Sequence, residues 1–415
     1  MLECLLVITF VGLMLASHRR MGLGNPFQIY FMVWFVIILG YYISRQTYTS
    51  ISPEVVILLL VAKCLSFLLL FMSYSQNKET IEFSNSLHIL ESQDRLILIA
   101  QIMVTIALPF VYLQAVALAG GDSIFTVLGY TKLRYAITYD GEGFGLLSYF
   151  SILSYVVSSL TAFSYRQKKA RLGRLVFSIF VSLSYAYLGS GRTAIMLFLC
   201  LMLVPLVISG LTSLRGILFS VFTGASSFVL VAAMTAKGIS PSSNLSDNID
   251  SFSKSIMGYA FTPLVAFSNL VVSEPPLGWG ENTFRFFIAV LHALGLSDRQ
   301  PVQLVRDYTF VPDPTNVFTV YGVYFRDFWY PGIFVVPLFL ILHYWLYRKA
   351  IRLGGVWLFY YAASVYPLVM QFFQDQYFSL FSMWIQVTAW YWIFLMHHKS
   401  KTTVSVAWHG RNYRG

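Results

Sequence analysis

Charge is what this sequence has least of. Asp, Glu, Lys and Arg make up 11% of its 415 residues, about half the share of an ordinary soluble domain. That shortage excludes a soluble globular chain of this size. Cysteine is scarce as well: Cys4, Cys64 and Cys200 all fall within apolar stretches. They suggest neither a disulfide framework nor a zinc site, and each is expected to be a buried apolar thiol. The sequence has no His-Glu-x-x-His, no Cys-x-x-Cys and no phosphate loop, and GLGNPF (22–27) has too few glycines for a nucleotide fingerprint. No metal cluster is visible, so neither a metal nor a cofactor is expected. No internal repeat is found, which argues against a transporter built from inverted repeats.

What fills the chain is apolar: 57% of residues are hydrophobic and 17% aromatic. Runs long enough to cross about 30 Å of hydrocarbon, roughly 20 residues each, recur throughout. The fold class is an all-α polytopic membrane protein with about 11 transmembrane helices, a reading that rests on this length rule. Spans are expected near 2–16, 27–43, 54–72, 96–118, 145–164, 175–188, 193–209, 216–235, 331–347, 355–372 and 377–396. The start, MLECLLVITFVGLMLASHRR, is apolar and then basic, the reverse of a cleaved signal peptide, so it is read as a retained first span.

Most Lys and Arg fall on one set of loops, including Arg19, Arg20, RQKKARLGR (166–174), Arg348, Lys349 and Arg352. Basic loops stay cytoplasmic, which puts the N-terminus outside and the C-terminus inside. Residues 1–235 then hold eight spans, 236–330 form one large outer loop, 331–396 hold three more spans, and 397–415 are a basic inner tail. The net charge of +10 reflects this orientation, not nucleic-acid binding. Within the large loop, 258–272 and 282–296 read as short helices on or dipping into the membrane surface.

The outer face collects the ionisable residues. Arg192 sits in LGSGRTAIM between two apolar spans. The glycines around Ser190 would let backbone adopt φ > 0 near a ligand, and guanidinium forks onto phosphate oxygens. The large loop offers Glu281, Arg285, Arg306, Asp307, Asp313 and the adjacent pair Arg326–Asp327. Aromatics between them suit sugar rings, arginines suit an anionic leaving group, and a carboxylate could act as general base. The loop 131–145 adds Lys132, Arg134, Asp140 and Glu142, which also fit a merely solvated loop. Lys63, inside a span, calls for a carboxylate or a lipid phosphate. His343 reads as an interhelical hydrogen bonder, and Asp375 as a polar turn at the outer surface.

Three stretches, LGSGRTA (188–194), LGWGENTFRFF (277–287) and NVFTVYGVYFRDFWYPGIF (316–334), together resemble the Wzy-type O-antigen polymerases of bacteria. That family has a Gly-x-Arg turn between apolar helices, then a large periplasmic loop. A glycine-rich segment ending in Thr-Phe follows, and an Asn-x-(Phe/Tyr)-Thr stretch leads into Asp-Phe-Gly. Here the last triplet is Asp327-Phe328-Trp329, with glycine delayed to Gly332. An Arg-x10-Gly spacing described in some members fits Arg134 to Gly145.

The resemblance implies an inner-membrane glycosyltransferase that joins undecaprenyl-pyrophosphate-linked oligosaccharides at the periplasmic face. It also implies a flippase and a chain-length regulator as partners alongside membrane lipid. On this reading Arg192, Arg285, Arg306 and Arg134 bind pyrophosphate. Asp327, Glu281 or Asp313 is the general base, and Asn316, Tyr324 and Arg326 contact substrate, with Arg326 also pairing with Asp327. An O-antigen ligase shares this logic with a different acceptor. A transporter or flippase of lipid-linked sugars would instead line a path through the bundle.

Overall fold

Backbone inside hydrocarbon has no water to bond with, so long apolar stretches must satisfy their own N–H and C=O groups, which an α-helix does. The computed structural model describes residues 1–18, 21–22, 24–76, 91–211, 245–303, 305–312 and 314–395. Among these, fourteen α-helices carry nearly all the regular structure. They are α1 (Leu2–Ala16), α2 (Pro26–Ser44), α3 (Pro53–Gln76), α4 (Glu91–Leu118), α5 (Val127–Thr138), α6 (Ser148–Arg166), α7 (Leu172–Leu188), α8 (Arg192–Ile208), α9 (Leu245–Val272), α10 (Arg285–Ala293), α11 (Tyr321–Phe328), α12 (Val335–Leu353), α13 (Gly355–Met370) and α14 (Phe381–Leu395). One two-residue hairpin pairs β1 (Thr309–Phe310) with β2 (Pro314–Thr315), antiparallel.

Among the described residues, five helical stretches are long and apolar enough to cross a bilayer: Pro26–Ser44, Pro53–Ser75, Gln93–Leu118, Gly145–Arg166 and Tyr330–Leu353. The chain is therefore a helical, membrane-embedded protein. The spans expected at 2–16, 175–188, 193–209, 355–372 and 377–396 fall on helices of 15 to 17 residues, short of the roughly 20 that a straight crossing needs. The span expected at 216–235 lies outside the described residues, as do 236–244 of the large loop and the tail 397–415. The break expected at GSGRT is present, since α7 ends at Leu188 and α8 begins at Arg192.

The core divides in two. One cluster is centred on Tyr155, Leu160, Phe198, Phe359 and Tyr391, from α6, α8, α13 and α14. The other is centred on Tyr30, Trp34, Leu59, Phe267, Tyr321 and Leu340, from α2, α3, α9, α11 and α12. Small polar residues let helices approach closely in lipid. Between α6 and α7 the Ser158 hydroxyl lies 2.7 Å from that of Ser178 and 2.8 Å from that of Ser182.

Loop contacts sort the bundle into two ends. At one, Tyr347 and Tyr361 donate to the carbonyls of Met21 and Gly24, and Arg174 pairs with Asp94 at 2.7 Å. At the other, Tyr130 and Arg134 of α5 donate to the carbonyls of Tyr187 and Ser190. There too Ser52 N–H donates to the Ser268 hydroxyl, and Val320 N–H to the Gln371 carbonyl at 2.7 Å. The segments rich in arginine and aromatics all meet at this second end.

Two expectations change. Residues 258–272 are not a surface helix: they form the second half of α9, where Leu264, Val265, Ala266 and Phe267 are fully buried. Residues 285–293, by contrast, form α10, which has no buried residue and exposes Phe287, Val290 and Leu291. Of the cysteines only Cys200 is buried; Cys4 and Cys64 lie on the outside of the bundle, where apolar surface costs nothing beside lipid.

Candidate functional site

Three arginines from separate elements open onto one narrow cleft of about 60 Å³ at the loop-rich end. Arg285 opens α10, Arg306 lies in the segment before β1, and Arg326 sits near the end of α11. Asn282, Asn316, Thr319, Gln374, Asp375 and Ser379 supply polar atoms to the same walls. Arg285 Nε donates to the Val302 carbonyl at 2.6 Å, and Arg306 Nη2 donates to Asn282 Oδ1.

None of the three makes a salt bridge among the described residues. Burial pushes the Arg285 guanidinium below its ordinary value. Burial does the same to Arg306, which Arg285 lowers further and the charge of Asp327 opposes. Burial, followed by the charge of Arg306, draws Arg326 down to about 10, against the pull of Asp307. The cleft thus sets three like charges against one carboxylate in its wall, that of Asp375. An oxyanion with several acceptor oxygens is the ligand such a set would stabilise most.

Asp327 does not face this cleft, which corrects its assignment as a general base. It is completely buried, and both carboxylate oxygens are taken. Oδ1 accepts from Asn282 N–H (3.2 Å) and Nδ2 (2.6 Å); Oδ2 accepts from Thr283 N–H and Oγ1 (2.6 Å each). A carboxylate with four donors and no access has no lone pair for a substrate proton. It instead clamps the 278–283 turn, and through Asn282 it sets where Arg306 lies. The expected Arg326–Asp327 pair does not form either. Consecutive helical residues point apart, and Arg326 lies 4.8 Å over the Phe318 ring.

Asp375 is the residue that sequence reading undervalued. It is 1% exposed rather than a surface turn. Its Oδ1 accepts from the Tyr324 hydroxyl (2.7 Å) and Tyr377 N–H (3.1 Å), and its Oδ2 from Ser379 N–H (2.9 Å) and Oγ (2.8 Å). Burial raises its carboxyl above the ordinary carboxylate range, against these hydrogen bonds. Tyr324, expected to touch substrate, is buried and serves this carboxylate. The signal in the sequence was a lone acid in QFFQDQYF (371–378) between two apolar helices.

The other face of the same turn lines an apolar groove of about 370 Å³ between α12, α13 and α14. Tyr377 and Phe378 belong to the groove, whereas Asp375 and Ser379 belong to the cleft. His343 Nε2 lies 2.9 Å from the Tyr377 hydroxyl, but its buried Nδ1 has no partner. It is therefore only half the satisfied hydrogen bonder expected.

The remaining expected residues lie elsewhere. Glu281 pairs with Arg299 and is part-exposed. Arg134 reaches the Ser190 carbonyl at 3.4 Å and does not join the three arginines. Arg192 is the first residue of α8 and its side chain lies outside what is described, as does Asp313. Asn316 does line the cleft. Among the described residues Lys63 pairs with no carboxylate. Its Nζ donates to the Tyr30 hydroxyl at 2.8 Å and sits 3.7 Å over Trp34, an aromatic cage that holds a cation by its ring faces.

Backbone strain marks the three motif segments. Gly189 and Gly191 have negative φ, and it is Ser190 that stands at +50°. Trp279 and Trp329 also have φ near +50°, a region that residues other than glycine rarely take. Trp329 therefore keeps a backbone suited to glycine while its indole donates to the Pro275 carbonyl at 2.8 Å. Gly332 answers a different demand: a Cβ there would meet the Tyr324 carbonyl oxygen at 2.3 Å.

No protein-family model matches the chain, and neither a curated protein nor a solved structure does.

Proposed function

We propose that this protein is an O-antigen or related repeat-unit polymerase. It would transfer a growing oligosaccharide from one undecaprenyl pyrophosphate to a new lipid-linked unit at the periplasmic face of the inner membrane. The observation that carries the reading is the convergence of Arg285, Arg306 and Arg326 on a cleft that shares a wall with an apolar groove. A lipid-linked phosphate carries both an anionic head and a hydrocarbon tail, and so suits both compartments.

In this reaction the bond between the reducing-end sugar carbon and the pyrophosphate oxygen breaks. The acceptor hydroxyl oxygen forms the new glycosidic bond, its proton passes to a base, and the lipid pyrophosphate leaves with the bonding pair. The arginines stabilise charge that grows as it departs. Among the described acids, Asp327 and Asp375 are saturated and Glu281 is paired, so on this reading Asp307 is taken as the base. That residue is exposed and its charge acts on both Arg306 and Arg326.

The test is reconstitution into vesicles with lipid-linked units extracted from the host. Wild-type protein should yield a ladder of products. Arg306→Ala and Arg326→Ala should each slow it by about 100-fold or more, the usual loss when a charge-stabilising donor is removed. A full ladder from the double variant would sink the proposal.

A further inference from the structure

Joining two lipid-linked oligosaccharides requires somewhere for sugar to lie outside the pyrophosphate cleft. The loop-rich end carries two arginine-bearing elements: the cleft, and the 189–192 turn that α5 holds through Arg134 and Ser190. A hydrogen bond between the Tyr139 and Tyr308 hydroxyls, 2.6 Å apart, joins α5 to the segment that carries Arg306. Tyr308 is two residues beyond Arg306, and Tyr139 caps the C-terminus of α5, which carries Arg134. Tyr135 continues the surface, its ring centroid 5.0 Å from that of Tyr139. All three tyrosines are exposed: 57% for Tyr135, 48% for Tyr139 and 46% for Tyr308.

We propose that Tyr135, Tyr139 and Tyr308 form a carbohydrate subsite that receives the sugar rings of the lipid-linked substrate beside the arginine cleft. A pyranose has an apolar face that stacks on an aromatic ring and a hydroxyl rim that needs polar partners. Tyrosine offers both at low entropic cost, having two side-chain torsions. The Tyr139–Tyr308 hydroxyl pair is exposed and able to exchange its mutual hydrogen bond for sugar hydroxyls. Its position between the two arginine-bearing elements fits a chain that must reach from one carrier to the next. The assignment rests on the polymerase reading and adds to it the site of sugar recognition.

The experiment uses full-length protein in lipid nanodiscs and two probes: inorganic pyrophosphate, and the lipid-free repeat-unit oligosaccharide released by mild acid from the host's carrier-linked pool. Tyr135→Ala/Tyr139→Ala and Tyr308→Ala should weaken oligosaccharide binding by about tenfold or more, leaving pyrophosphate affinity within about twofold of wild type. Tyr139→Phe keeps the ring and should lose about threefold or less. Alanine variants that bind oligosaccharide as wild type does overturn the subsite. So does an equal loss for both probes, which would make the tyrosines a mere clasp between loops. Quenching by brominated lipid that vanishes with unchanged oligosaccharide binding would overturn it in favour of a membrane anchor. If wild-type protein makes polymer while the alanine variants do so equally well, the subsite alone fails. If wild-type protein binds no pyrophosphate and makes no polymer, the polymerase reading fails with it.

Discussion

Asp327 and Asp375 make the same number of hydrogen bonds and do different work. Each is buried and accepts from four donors. Asp327 lies behind the cleft, fixes the 278–283 turn across more than forty residues of sequence, and reaches the ligand side only through Asn282 and Arg306. Asp375 stands in the cleft wall and organises its own short turn. The contrast shows that a buried carboxylate near a cationic cleft is not thereby a catalyst. Where its lone pairs point decides whether it is scaffold or electrostatic lining.

That contrast can be broken by substitution. Asp327→Asn replaces one carboxylate oxygen by an amide donor that faces two donors. Leaving buried groups unsatisfied costs about 1–3 kcal/mol each, so a loss above about 3 kcal/mol is expected, read as a lower unfolding temperature in detergent. Equal stability with selective loss of catalysis would restore Asp327 as a base. Gly278→Ala should follow closely. Its Cβ would sit 2.5 Å from Asp327 Oδ1, an overlap costing about 1–3 kcal/mol, together with weakened anion binding because Arg306 shifts. Asp375→Asn should cost less, about 1–2 kcal/mol, because three of its four donors lie within one turn and rearrange together, with only the Tyr324 hydroxyl coming from another helix.

The smallest effect concerns pH. Burial raises the Asp375 carboxyl, so its proton is held more tightly folded than unfolded. Its ionisation therefore opposes folding as pH rises through the raised value, and that opposition is relieved as pH falls. Sulfate, whose charge does not change in this range, should bind the cleft more tightly on acidification as a like charge is removed. The gain should be about fivefold or less and absent in Asp375→Asn, at about 1 kcal/mol of coupling in a partly wet site. A flat profile in wild type would remove Asp375 from the electrostatics of the cleft.

The sequence made the helices legible wherever an apolar run had the length to cross a membrane, as at 26–44 and 53–75. It did less well where apolar character had two explanations. The 258–272 stretch reads like a surface helix, yet Phe267 packs against Tyr321 and Phe325, residues more than fifty positions away. In the site, Arg285 and Arg306 stood out because arginine seldom gathers near lipid without use, whereas Arg326 was expected mainly as the ion-pair partner of Asp327. The direction of Asp327 was not legible, because adjacency to Arg326 says nothing about which way either side chain leaves a helix. Nor was Asp375, whose partners Tyr324 and Ser379 come from both sides of it in sequence.

The turn at 375–379 has one more consequence. Because Asp375 and Ser379 face the cleft while Tyr377 and Phe378 face the groove, the two compartments share a partition. Filling either compartment reshapes the partition for the other, and such coupling is reciprocal in free energy. A detergent molecule lodged against Phe378 would then act as an allosteric effector of anion affinity. The choice of solubilising agent becomes an experimental variable, and a compound wedged beside Tyr377 becomes a route to inhibition that never competes for the arginines.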